Sequence, residues 1–276
     1  MNKARFLLSL LAATAVLVGL LLVGACGRGD DSGPPAPPPA GLALLGYGLP
    51  NAWHEGDPAV LGDALVRAGL GLTVVEAIPW FTKRGPGCKH DGGLSDQQFP
   101  SELHEFVGAM RERGILTIVM GVNANNCKVR TSWTTAEFQA LDRSVQSLGP
   151  SLVWYLPINE PWAIGSMAGG WNSLARKTWT GTFLVADKGR NNATGLPFFS
   201  VPFDFVTVNA CNDDAALAAL ASGLPVLVTT DCTGTLNPGP ERAAGLAAAA
   251  RASGAPLLIY DFRGTEPDLA VIEALS

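Results

Sequence analysis

Leu152-Val153-Trp154-Tyr155-Leu156-Pro157-Ile158 is an apolar run that ends abruptly at Asn159-Glu160-Pro161. Short runs of this kind, rich in Val, Ile and Leu, are expected of parallel strands buried on both faces. Eight occur along the chain: Leu42–Gly46, Leu72–Glu76, Ile115–Gly121, Leu152–Ile158, Phe183–Ala186, Phe205–Asn209, Pro225–Thr230 and Pro256–Asp261. The stretches between them read as amphipathic helices. After Ser101, residues Leu103, Phe106, Val107 and Met110 share one helical face, and Phe138, Leu141, Val145 and Leu148 share another. Helical stretches end at Gly69, Gly114, Gly149, Gly223 and Gly254, where glycine suits a left-handed stop. Their starts are marked by Asp57-Pro58, Asn237-Pro238 and the pair Thr134/Glu137, which fits a capping box.

Seven of the eight strands precede such a helix, and the exception is the fifth, where 187–203 is Gly-, Asn- and Pro-rich. Strict alternation over this length predicts a closed (β/α)8 TIM barrel with a degenerate fifth helix. An open doubly wound sheet is the alternative, but no Gly-rich phosphate loop follows the first strand.

The barrel occupies residues 42–276. Ahead of it, Lys3 and Arg5 precede an uncharged apolar run, Phe6 to Val23, which exits through Gly24-Ala25-Cys26. A basic start, an apolar stretch and small residues at the exit form a secretory signal, here residues 1–25. Val23-Gly24-Ala25-Cys26 resembles the lipobox of bacterial lipoproteins, which implies that Cys26 is lipidated and anchors an exported chain to a membrane. Residues 26–41 hold Pro34, Pro35, Pro37, Pro38 and Pro39, so they form an extended, semi-rigid tether with no core. The net charge of −5 carries no basic patch, which argues against nucleic acid as a partner. A monomer is expected.

Beyond Cys26 there are four cysteines without CxxC spacing, which suits disulfides in an oxidising compartment better than zinc. Cys88 and Cys127 follow neighbouring strands 2 and 3; Cys211 and Cys232 follow neighbouring strands 6 and 7. The expected pairs are therefore Cys88–Cys127 and Cys211–Cys232, since cross-pairing would have to span the barrel mouth.

Chemistry in such a barrel sits at the C-terminal ends of the strands. Those ends carry Tyr47, Asn51 and Trp53; Glu76 and Trp80; Asn123, Asn125 and Trp133; Asn159, Glu160 and Trp162; Asn209 and Asp213; Asp231; and Tyr260 with Asp261. The rim is rich in carboxylates, amides and tryptophans and poor in His and Lys. Tryptophan faces suit the apolar faces of sugar rings, and amides and carboxylates suit hydroxyls. Trp53, Trp80, Trp162, Asn159, Asn209, Tyr260, Glu76 and Asp261 are the expected carbohydrate contacts. Each Trp can equally be packing that caps the barrel, and each acid a buried structural carboxylate. No metal or other cofactor is implied.

The segment Leu152–Pro161 resembles strand 4 of the clan A glycoside hydrolases, the cellulase- and mannanase-like barrels. The resemblance implies that Glu160 is the general acid/base and that Asn159 contacts the sugar 2-hydroxyl. Phe205-Val206-Thr207-Val208-Asn209 is a weaker echo of the family's strand 6. The family nucleophile is a Glu ending strand 7. Here Thr230 stands at that position and Asp231 follows it, one methylene shorter and one residue displaced. Asp231 is the favoured second carboxylate, with Glu76 and Asp261 as substitutes.

Two function classes follow. One is a surface-tethered glycoside hydrolase acting on a β-linked glycan. The other is a barrel that has lost its nucleophile and serves as a glycan-binding or scaffold lipoprotein. Both require the anchor. Replacing the lipid acceptor, Cys26→Ser, is expected to shift the mature domain from the membrane fraction to the soluble fraction. Unchanged retention on immunoblots of fractionated cells would instead indicate an uncleaved signal anchor.

Overall fold

The computed structural model describes residues 43–50, 56–77, 99–124, 134–186, 203–209, 213–223, 226–230, 239–261 and 266–276. The expected signal, Cys26 and the tether lie outside the described residues, as does 187–202, where the degenerate fifth helix is expected.

Strands and helices alternate through the described residues. In chain order they are β1 (Ala43–Gly48), α1 (Pro58–Arg67), β2 (Leu70–Glu76), α2 (Phe99–Glu112), β3 (Leu116–Asn123) and α3 (Thr135–Gln146). Then come β4 (Val153–Asn159), α4 (Ser166–Thr178), β5 (Leu184–Ala186), β6 (Phe205–Asn209) and α5 (Asp213–Leu220). The last are β7 (Val226–Thr229), α6 (Pro240–Ser253), β8 (Leu257–Tyr260) and α7 (Leu269–Ala274). Each expected run holds one strand, and no strand end shifts by more than two residues.

The strands are parallel and bond in the order β4-β3-β2-β1-β8-β7-β6-β5. The outer members of that order, β4 and β5, meet at a parallel bridge between Tyr155 and Phe183. There the Tyr155 N–H donates to the Thr182 carbonyl at 3.1 Å. The sheet is a nearly closed (β/α)8 barrel, as the alternation in the sequence implies.

Local chemistry explains the helix boundaries. Asp57 caps α1 by accepting from the Ala59 N–H at 2.8 Å, and Pro58 fills the first helical position, where no N–H is needed. Thr134 and Glu137 form both halves of the capping box of α3, at 3.3 and 2.8 Å. α6 departs from expectation. It begins at Pro240 with Gly239 at its N-cap and no side-chain cap, while Asn237-Pro238 lies outside the described residues. Gly254 ends α6 at φ 71°, a left-handed conformation that suits glycine because it lacks a Cβ.

Alternation along the strands sorts two apolar shells. Leu72, Val74, Ile118, Met120, Trp154, Leu156, Leu227 and Leu258 fill the barrel interior. Tyr47, Val75, Val119, Tyr155, Val185, Val228 and Ile259 pack outward against the helices. Trp154 stacks on Phe205 at 5.2 Å, both near the starts of their strands, and so plugs the barrel floor.

Toward the mouth the alternation slips in two strands together. Leu156 is interior, yet Ile158 packs with the outer shell; Met120 is interior, yet Val122 packs outside. The register runs from Met120↔Leu156 to Val122↔Ile158, which leaves Gly121 and Pro157 between them. Pro157 has no N–H to give the ladder. Gly121 permits the close approach, since a Cβ there would lie 2.5 Å from the Pro157 carbonyl oxygen. The slip gives Asn123 and Asn159 interior parity at the mouth.

Side chains brace the seam between β4 and β5. The Trp179 indole donates to the Thr182 carbonyl at 3.0 Å and packs on Tyr155 at 4.9 Å. The Phe183 N–H donates to Asp204 at 2.7 Å, and the Asp204 N–H returns a bond to the Phe183 carbonyl at 2.9 Å. Gly181 lies just ahead of this seam, and a Cβ there would stand 1.9 Å from the Pro150 carbonyl oxygen. Gly181→Ala is therefore expected to destabilise the fold by about 1–3 kcal/mol, the range of overpacked sites. The urea midpoint reads this directly, and an unchanged midpoint would mean that the seam spreads without cost.

Candidate active site

The mouth is built outward from the end of β4. Asn159 is buried, and Glu160, the next residue, is 7% exposed. Glu160 has φ 50° and ψ 50°, and among the described residues it alone combines positive φ with a side chain. Pro161 follows and disfavours the right-handed helical region at the residue before it. The chain then enters a single 3-10 turn, Pro161–Ala163, in which the Ala163 N–H donates to the Glu160 carbonyl at 3.1 Å. A left-handed conformation costs an L-residue on the order of 1–2 kcal/mol. Strain of this kind clusters where a side chain must be aimed.

Neighbouring strands fix the approach to that turn. Asn123 pairs with Asn159 in register, and the Ala124 N–H donates to the Asn159 carbonyl at 2.9 Å. One strand further, Glu76 ends β2 fully buried, and its Oε1 accepts from the Asn123 N–H at 3.1 Å. Asn159, Glu160 and Glu76 therefore share the β2–β4 sector of the mouth.

Across the ring, Tyr260 ends β8 and Asp261 follows it, both buried. The Tyr260 N–H donates to the Thr230 hydroxyl at 3.2 Å. Thr230, at the strand-7 position where the resemblance calls for a Glu, thus lends its side chain to the sheet. Asp261 faces the outer shell, where its Oδ2 accepts from the Tyr47 hydroxyl at 2.6 Å. The same Tyr47 oxygen accepts from the Asp268 N–H at 3.0 Å, at the N-cap of α7. Burial first, and then the hydrogen bond to Asp261, push the Tyr47 phenol far above its ordinary range, so it remains a donor.

The other expected site residues are not brought into view. Asp231, Trp53, Trp80, Cys88, Cys127, Cys211 and Cys232 lie outside the described residues. Trp162 falls in the turn after Glu160 and Asn209 ends β6, but their side chains also lie outside the description. Among the described residues no three His, Cys, Asp or Glu side chains gather to hold a metal. Sequence reasoning missed the backbone clamp from Glu76 to Asn123 and the turning of Asp261 toward Tyr47. Gly121 and Pro157, late in adjacent strands, are the sequence signal from which the irregular end of β3 and β4 could have been read.

No protein-family model matches the chain, and no curated protein matches it. Solved structures do. A glycoside hydrolase family 5 enzyme from Prevotella bryantii B14, solved as a mutant with a xyloglucan tetradecasaccharide, is similar at a TM-score of 0.56 and 14% identity, over 84% of this chain and 94% of that one. A broad-specificity endoglucanase from Clostridium acetobutylicum matches at 0.54 and 13%, over 84% of this chain and 96% of its own. A xyloglucan-specific endo-β-1,4-glucanase from a metagenomic library, with cellotriose bound, matches at 0.52 and 10%, over 84% and 96%. The shared feature is the fold. It is an eight-stranded parallel barrel of the kind those enzymes use.

Tyr47→Phe deletes one hydroxyl that serves Asp261 and Asp268 at once. A loss of about 1–3 kcal/mol is expected, because a donor to a buried carboxylate disappears. Denaturant unfolding measures it, and a change below about 0.5 kcal/mol would show that this bond carries no net stability.

Proposed function

We propose that the chain is an exported glycoside hydrolase acting on a β-linked glycan, held at a membrane by lipid on Cys26. Glu160 is its general acid/base and Asp231 the partner carboxylate. The observation that carries this reading is Glu160 itself. A buried acid stands in a left-handed, strained conformation, directly after a buried apolar strand, at the end of the barrel where chemistry is done. Asn159 beside it, with Tyr260 and the tryptophans Trp53, Trp80 and Trp162, supplies sugar contacts in this reading. The fold shared with β-glucan-cleaving enzymes supports the substrate class.

Two carboxylates divide the work. Glu160 gives its proton to the glycosidic oxygen as the bond to the anomeric carbon breaks. Asp231 either attacks that carbon, as at a separation of about 5–5.5 Å, or activates a water, as at about 6.5–9.5 Å. In the attack route Glu160 then takes a proton from the water that releases the sugar. Asp231 is favoured because it closely follows β7, the strand whose end carries the nucleophile in the family that the sequence resembles. Asp261 is the weaker candidate because its carboxylate is engaged by Tyr47.

Glu160→Gln is expected to abolish turnover of glycosides with poor leaving groups while leaving the fold intact. Activated aryl glycosides should lose less in the glycosylation step, since their leaving groups need little protonation. Asp231→Asn should damage both substrate types. A screen on β-glucan, mannan, xylan and aryl glycosides makes the measurement. Glycan binding without any turnover, unaffected by either substitution, would favour the binding or scaffold lipoprotein, the reading to which Thr230 at the nucleophile position lends support.

A further inference from the structure

We infer that Glu76 is a positioning residue that holds the Glu160 turn in place through the backbones of β3 and β4. This deepens the proposed function and rests on Glu160 being the acid/base.

The argument begins where β2 ends. The Glu76 backbone is held on both sides. Its N–H donates to the Pro50 carbonyl at 3.0 Å, and the following Ala77 N–H donates to the Met120 carbonyl at 2.6 Å. Strand β2 stops there, but β3 continues through the slip at Gly121 to Asn123. The Asn123 amide therefore projects past the last residue of β2. Its partner is the Glu76 carboxylate, with Oε1 at 3.1 Å. A side-chain oxygen thus adds one rung to the sheet where main chain has run out.

That rung is one link from the chemistry. Asn123 is in register with Asn159, and the next amide, Ala124 N–H, bonds to the Asn159 carbonyl at 2.9 Å. Glu160 follows in the left-handed conformation, which persists only if the surrounding backbone over-determines it. The irregular stretch at Gly121 and Pro157 offers little such restraint, since Pro157 cannot donate. The clamp from Glu76 restores restraint immediately beyond it. The group is a buried, charge-capable acceptor on a main-chain amide, a stronger contact than a neutral side chain provides.

The clamp needs an acceptor oxygen, so glutamine can supply it and alanine cannot. For a substrate that requires protonation, Glu76→Ala is expected to lower kcat about 100-fold, the scale of a 1 Å misplacement. KM should change little, and Glu76→Gln should recover most of the loss. Amide hydrogen exchange supplies the second reading: Asn123 and Ala124 should exchange at least about tenfold faster in Glu76→Ala than in the native chain, with Glu76→Gln close to native. Equal loss of kcat in both variants would make Glu76 a reacting carboxylate and overturn the positioning role. Unchanged exchange at Asn123 in Glu76→Ala would overturn it as well. If the native chain turns over no glycoside, the hydrolase reading falls, and the exchange comparison still decides whether Glu76 holds the end of β3.

Discussion

Everything at the mouth depends on the ring being closed, and closure depends on how β4 meets β5. The Tyr155 N–H reaches the Thr182 carbonyl, and Trp179, Phe183 and Asp204 gather around that rung. β5 is three residues long and has little ladder of its own to offer. Side-chain packing replaces the missing rungs: the Trp179 ring against Tyr155 and the Arg176 guanidinium 5.3 Å above the Phe183 ring. Behind β4, Tyr155 faces Asp142, whose carboxylate accepts from the Thr178 hydroxyl at 2.9 Å. Burial, opposed in part by that bond, raises the Asp142 carboxyl above the usual range. The strand that carries Asn159 and Glu160 is thus braced on its outer face by α3 and α4.

The mouth has two sectors with different chemistry. Around β2, β3 and β4, polar side chains and freed backbone are arranged about one strained residue, Glu160. Around β7, β8 and β1, two described side chains are spent on the scaffold. The Thr230 hydroxyl serves the Tyr260 amide, and Asp261 serves Tyr47. Carboxylates of similar burial therefore differ in role because of what each one faces.

Much of this was legible before any coordinates. Period and punctuation located all eight strands, because a strand buried on both faces leaves a continuous apolar run whose shortness and flanking turn residues set it apart from a buried helix. Asp57, Thr134 and Glu137 revealed helix starts because a cap is a local interaction. The placing of Glu160 after β4 was equally readable. The direction of Asp261 was not, because its partner Tyr47 lies at the opposite end of the chain and faces the outer shell. Nor was the clamp from Glu76 to Asn123, since it depends on where β2 stops relative to β3. The slip at Gly121 and Pro157 inverts the parity from which a facing direction would be inferred.

The pairing of β1 with β8 has a consequence for how the protein is made. The Tyr47–Asp261 bond joins residues 214 apart in sequence. At about 5–20 residues per second, synthesis leaves roughly 10–40 s between the emergence of the first residue and the last. Throughout that interval one edge of β1 lacks its native neighbour, the situation in which strands recruit the wrong partner. Gly46 and Gly48 make β1 a poor template by itself, since glycine weakens an isolated strand. The same two glycines let β1 press against Leu72 and Val74 once β2 is present. The first strand of the barrel is thereby kept quiet in the nascent chain and becomes well packed only in company.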